Sequence, residues 1–183
     1  MIDRIRRFAW PLLIVGGLAI VATSQTVWGY SNEGAQLRIT GLGGVEARAA
    51  ASGDVESFFN DLTQRPGLLT IVLGFVIVLA ALVGWWAPVR QIRAASLALG
   101  AVIAAVGTAV AIWALLVVLD PTGRLFDSGV IEAADTPGQL LSPGWGLVAT
   151  LVLGILTAGL AIVATALRWL APKNPDGADA TSQ

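Results

Sequence analysis

Polar and charged residues punctuate this chain at long intervals and leave four apolar stretches between them. These run from about Phe8 to Trp28, Gly67 to Trp86, Ala94 to Leu119 and Trp145 to Leu170. Each is roughly 20 residues or longer and free of charge until its end, the length a helix needs to cross about 30 Å of hydrocarbon. Backbone N–H and C=O groups in lipid have no water to bond, so a spanning segment of this kind must satisfy them internally as a helix. The pattern predicts an all-α membrane protein, a four-transmembrane-helix bundle over residues 1–172, followed by a disordered tail at 173–183.

The connections are less uniform. Between Ser31 and Pro66, the run from Gln36 to Thr40 alternates polar and apolar side chains as a short strand does, and Gly41, Gly43 and Gly44 end it. From Asp54 to Gln64 the spacing predicts a short amphipathic helix, with Val55, Phe58, Phe59 and Leu62 on one face and Ser52 or Asp54 as its cap. The segment from Asp120 to Pro143 is acidic and rich in Gly and Pro, with a brief strand expected at Val130 and Ile131. Val89 to Arg93 makes only a tight turn, so the second and third spans are expected to be antiparallel neighbours.

Composition strengthens this reading. Hydrophobic residues make up 56% of the 183 positions and charged residues 13%, with a mean hydropathy of +0.77. Soluble domains carry about 25% charged residues, so a chain this poor in charge cannot build a water-facing surface around its core. The charges are also segregated. Arg4, Arg6, Arg7, Arg90, Arg93, Arg168 and Lys173 fall on one side of the four-span layout. The other side holds Arg38, Arg48, Arg65 and Arg124, outnumbered by acids. Basic flanks stay in the cytoplasm, so both termini are expected inside. Tryptophans favour the headgroup region. Trp10, Trp28, Trp85, Trp86, Trp113, Trp145 and Trp169 all fall at or near the ends of the expected spans. The three N-terminal arginines and Ala22-Thr23-Ser24 also fit a cleavable signal peptide, but an apolar stretch reaching Trp28 exceeds the usual h-region of about 7–15 residues. A retained anchor is the favoured reading; cleavage leaves three spans.

The chemistry open to this chain is narrow. It has no cysteine and no histidine, which removes thiolate sites, the commonest general base and the commonest metal ligand. Ionisable residues within a membrane mark ion paths and substrate sites, and none lies in the interior of the four stretches. Hydroxyls take their place, most densely at Thr23, Ser24 and Thr26 beside Gln25. Such groups usually bond their own helix or a neighbouring one, although this cluster also suits a wet crevice near the outer surface. Carboxylates at Glu56, Asp61, Glu132 and Asp135 lie on short loops with no partner base, and Gly41-Leu-Gly-Gly lacks the Lys-Ser/Thr of a phosphate loop. No catalytic residue, cofactor or metal is expected. Small residues are the remaining signal. Ser96, Gly100, Ala104 and Thr108 form a ridge on the third span, and Thr150, Gly154 and Ala158 form another on the fourth. Ridges of this kind let helix backbones approach, either within the bundle or against another membrane protein. Phe58 and Phe59 are a second candidate contact, suited to packing on their own loop or to anchoring a partner.

A first span closing near Thr26-Val-Trp28, a short strand at Arg38-Ile-Thr-Gly41, two spans joined by a basic turn and a last span together resemble an actinobacterial family of tryptophan-biosynthesis-associated membrane proteins. The layout is also loosely similar to four-helix accessory subunits of mycobacterial envelope complexes. The resemblance is architectural and implies no activity. The expected function is a non-catalytic accessory or assembly subunit of a larger plasma-membrane complex, such as a lipid or envelope transport system. Its expected partners are the lipid bilayer and other integral membrane proteins, with no nucleic acid. The alternative is a small homo-oligomeric membrane transporter.

Overall fold

The structure, a computed structural model, describes residues 2–31, 36–47, 62–86, 89, 92–126 and 141–170. Its elements in chain order are α1 (Ile2–Thr23), β1 (Val27–Tyr30), β2 (Leu37–Thr40), β3 (Val45–Ala47), α2 (Gly67–Trp85), α3 (Arg93–Leu119), α4 (Pro121–Leu125), β4 (Ser142–Pro143) and α5 (Trp145–Trp169). The protein is mostly helical. Three helices, α2, α3 and α5, are long and apolar enough to cross a membrane, and α1 contributes a shorter apolar stretch, Phe8–Thr23. Their outward faces are apolar as well: Leu12, Val15, Phe75, Leu79, Ile112 and Ile155 are all exposed. A surface of this kind is stable against lipid and not against water. This is an integral membrane protein.

The four long helices form a ring in chain order, with α1 packed on α2 and α5, and α3 packed on α2 and α5. The buried positions explain the arrangement. On α3 they are Ser96, Gly100, Ile103, Gly107, Val110, Ala114 and Val117, alternating steps of four and three. On α2 the set Gly67, Thr70, Gly74, Ile77, Ala81 and Gly84 does the same, as do Leu147, Thr150, Gly154, Thr157 and Ala161 on α5. A repeat of 3.5 residues keeps one seam facing the partner over many turns when helices wrap with a left-handed sense. Trp10, Leu13, Ile20, Ile77, Ala81, Ile103, Val110 and Ala161 fill the middle of the bundle.

One end of the ring is closed by an antiparallel sheet of order β3-β2-β1-β4. β1 pairs with β2 through Val27↔Thr40 and Tyr30↔Arg38, with an irregularity between Val27 and Gly29. β4 joins β1 through Gly29↔Pro143, and Gly144 N–H donates to Trp28 O at 2.7 Å, which ties the sheet to the start of α5. Trp28, Ile39, Leu125, Phe126, Leu141 and Leu147 make a second core beneath it. The β2–β3 turn uses Gly43 at φ +83°, a conformation open mainly to glycine.

Several expectations are corrected here. The first helix ends at Thr23 and not near Trp28, because the hydroxyls that follow bond backbone carbonyls and compete with the helix. Thr26 Oγ1 donates to Thr23 O at 2.7 Å and Trp28 Nε1 donates to the same carbonyl at 3.1 Å. Trp28 then lies in β1, 0% exposed, and Trp10 is 3% exposed inside the bundle, so both indoles are packed in protein. Thr63, at the end of the expected 54–64 helix, instead forms a β-bridge with Phe126. Phe58, Phe59, Glu56, Asp61, Glu132, Asp135, Val130, Ile131 and the 173–183 tail lie outside the described residues.

Candidate functional site

Of the residues singled out on the helices, Ser96, Gly100, Thr150, Gly154 and Ala158 are buried in the bundle. Ala104 is half-buried, and Thr108 is exposed, with its hydroxyl donating to Ala104 O at 2.8 Å. The geometry of the helix gives the reason. Steps of four residues overshoot a 3.6-residue turn by about 40°, so three steps from Ser96 rotate Thr108 by about 120° out of the seam. The structure puts Gly107 in the seam instead. A methyl group on Gly107 would lie 3.0 Å from Ala158 N, and one on Gly154 would lie 3.0 Å from Ala111 N. Across the ring, α1 and α2 meet at Gly17 and Gly74, where each glycine's added methyl would lie 2.9 and 3.0 Å from the other's carbonyl oxygen. Neither Gly17 nor Gly74 stood out in the sequence. The signal that finds them is the 3.5-residue repeat they share with Leu13, Ile20, Thr70 and Ile77.

The hydroxyl cluster lies where the helices meet the sheet, and it faces inward. Ser24 Oγ is 2.6 Å from Thr70 Oγ1, linking α2 to the residue that follows α1. Ser24 Oγ also reaches Ile20 O at 2.7 Å, and Thr70 Oγ1 reaches Gly67 O at 2.8 Å. Thr150 Oγ1 donates to Thr23 Oγ1 at 2.9 Å, linking α5 to α1, and Thr23 Oγ1 lies 3.0 Å from Ala19 O. Every hydroxyl in this set is therefore engaged within the protein, and Ser24, Thr70 and Thr150 are fully buried. These bonds hold three chain segments in register and leave no hydroxyl turned toward a solute.

The opposite end is fastened by arginines. Arg93 Nη2 donates to Trp169 O at 2.6 Å, placing a cation at the C-terminus of α5 where the helix dipole favours it. The Arg168 guanidinium lies 4.7 Å from the centre of the Trp10 ring, within cation–π range. A small cavity of about 10 Å³ among Trp10, Ser96, Gly100 and Thr165 lies beside that contact.

A groove of about 1160 Å³ opens on the outside of the protein, where the sheet meets α5. Tyr30, Ser31, Gln36 and Arg38 line its sheet side. Trp145, Val148, Ala149, Val152 and Leu153 line its helix side. These helical positions follow i, i+3, i+4, i+7, i+8, one face of α5. The sheet side is polar because Trp28 and Ile39 turn the alternate face of β1 and β2 inward.

Comparison with protein-family models, with curated proteins and with solved structures finds no match.

Proposed function

We propose that the protein is a non-catalytic accessory or assembly subunit of a larger plasma-membrane complex. In this reading it crosses the bilayer four times, holds both termini in the cytoplasm and uses its outer surface to meet lipid and other integral membrane proteins. The observation that carries the reading is the closure of the interior. α1–α2 and α3–α5 are drawn together at Gly17/Gly74 and Gly107/Gly154, with backbone on both sides of each contact, and the buried hydroxyls are consumed by carbonyls and by one another. Among the described residues, a bundle packed in this way presents its outer surface, and not an interior channel, for contacts.

The orientation rests on where the basic residues sit. Arg93 and Arg168 both belong to the end of the bundle away from the sheet, and Arg4, Arg6 and Arg7 precede the apolar part of α1. Basic flanks mark the cytoplasmic side. The apolar part of α1 spans 16 residues, Phe8–Thr23, or about 24 Å of rise. A bilayer accommodates a span of that length by thinning locally around it.

Affinity purification of the full-length chain in mild detergent tests the subunit role. The expected result is an integral membrane protein that co-purifies in stoichiometric amount. A single species that moves solute by itself in liposomes would overturn this role and favour a homo-oligomeric transporter. Reporter fusions test the topology separately: one after Gln183 should be active only in the cytoplasm, and one within the Ser31–Pro66 connection only outside it.

A further inference from the structure

The groove between the sheet and α5 has a chemical gradient along its length. At the sheet end lie a cation, a phenol and an amide, from Arg38, Tyr30 and Gln36; toward the middle of the helix it is lined by Val148, Val152 and Leu153. Arg38 and Tyr30 are cross-strand partners, so their side chains share the face that opens on the groove. Arg38 is the charged side chain among the described residues that line the groove; its cross-strand neighbour on β3, Glu46, lies outside that lining. α5 also begins there. Its cap residue, Gly144, supplies no side-chain bond, so the positive end of the helix dipole adds to the field of Arg38. From Trp145 to Leu153 the wall descends about 12 Å, most of the roughly 15 Å depth of one leaflet. Val148 and Val152 are exposed along it, in line with the lipid-facing surface of the bundle.

We propose that this groove holds one phospholipid with an anionic headgroup, its phosphate between Arg38 and Tyr30 and an acyl chain along Val148, Val152 and Leu153. Charge selects the occupant: a guanidinium beside a phenol favours a phosphate that carries net negative charge over a zwitterionic headgroup. The apolar wall distinguishes a lipid from a free anion, because it gains only from a ligand with a chain. The inference rests on the membrane placement of the bundle and not on the accessory role, so either can fail without the other.

The test uses the full-length protein, stripped of lipid in detergent and titrated with phosphatidylglycerol, phosphatidylcholine or inorganic phosphate. Native mass spectrometry reads the first lipid bound. Phosphatidylglycerol should bind about tenfold more tightly than phosphatidylcholine, whose phosphate takes the same hydrogen bonds but whose choline brings a second positive charge beside Arg38. Arg38→Gln should abolish that preference, and Val152→Trp should weaken phosphatidylglycerol binding while the protein melts as before. Excess inorganic phosphate should not displace the lipid. Equal binding of the two lipids, or a preference that survives Arg38→Gln, would overturn the proposal. So would displacement by phosphate, which would mark a site for free anions. If Arg38→Gln loses its cooperative melt, Val152→Trp decides alone: weakened binding upholds the lipid site and unchanged binding removes it.

Discussion

The two ends of the bundle are held together by different chemistry. At the sheet end, short directional contacts dominate: Ser24 with Thr70, Thr150 with Thr23, and Gly67 N–H donating to Gly41 O at 2.7 Å. Each involves a short side chain or the backbone itself, so it tolerates little displacement. At the far end the ties are long arginine side chains, Arg93 on the last turn of α5 and Arg168 on Trp10. An arginine can follow its partner over several ångströms and still hold it. The sheet end therefore sets register through short hydrogen bonds, whereas at the arginine end long side chains add to the close packing of Gly84 on Trp10 and of Gly100 on Thr165.

Substitutions graded by this difference should break or sharpen it. The largest effect is expected at Gly67, where a methyl group would lie 2.6 Å from Gly41 O and 2.8 Å from Ser24 O, both backbone atoms. Gly67→Ala should lower stability by about 1–3 kcal/mol, the usual cost of overpacking, read as a fall in the melting temperature in detergent. Thr70→Val keeps the shape and removes the link to Ser24; a loss of about 0.6–2 kcal/mol is expected. At the other end, Arg168→Gln should cost about 0.5–1 kcal/mol, the lower range for a cation–π contact, because Arg168 itself is only half-buried. A loss there as large as at Gly67 would put the register-setting contacts at the wrong end. The smallest effect is expected at Thr108, which is exposed and bonded to its own helix. Thr108→Val should change stability by less than about 0.5 kcal/mol, whereas a large loss would return it to the packing seam.

Much of this architecture is legible in the sequence, for physical reasons that also mark where reading stops. Charge-free runs that become α2, α3 and α5 are visible because lipid exposure demands apolar side chains over a whole helix length. The strand at Leu37–Thr40 shows in its alternation. The packing seam is harder to see, because in a membrane helix both the buried and the lipid-facing sides are apolar and no amphipathic contrast marks the inner face. Ser96 and Gly100 lead into the seam, but extending their spacing by fours ran out of it at Thr108. Trp85, Trp145 and Trp169 do stand at helix ends, but Trp28 fails as a boundary marker for a related reason. An indole suits a headgroup layer and also suits a buried site with one acceptor, and Trp28 found the latter in Thr23 O. The groove was not legible at all. Tyr30, Arg38 and Trp145 are brought together by the β1–β4 pairing of residues more than a hundred positions apart, and no local pattern announces that.

The unequal lengths of the helices carry a consequence for the surrounding bilayer. α3 runs for 27 residues, while the apolar part of α1 runs for 16. In the proposed four-span arrangement, a membrane fitted to such a rim would be thinner on the α1 flank than on the α3 flank, at a cost of fractions of a kcal/mol per ångström of mismatch. Elastic stress of that kind is relieved when a neighbouring protein of matching height settles against the short side, so in the proposed arrangement the α1 flank is the favoured side for a partner.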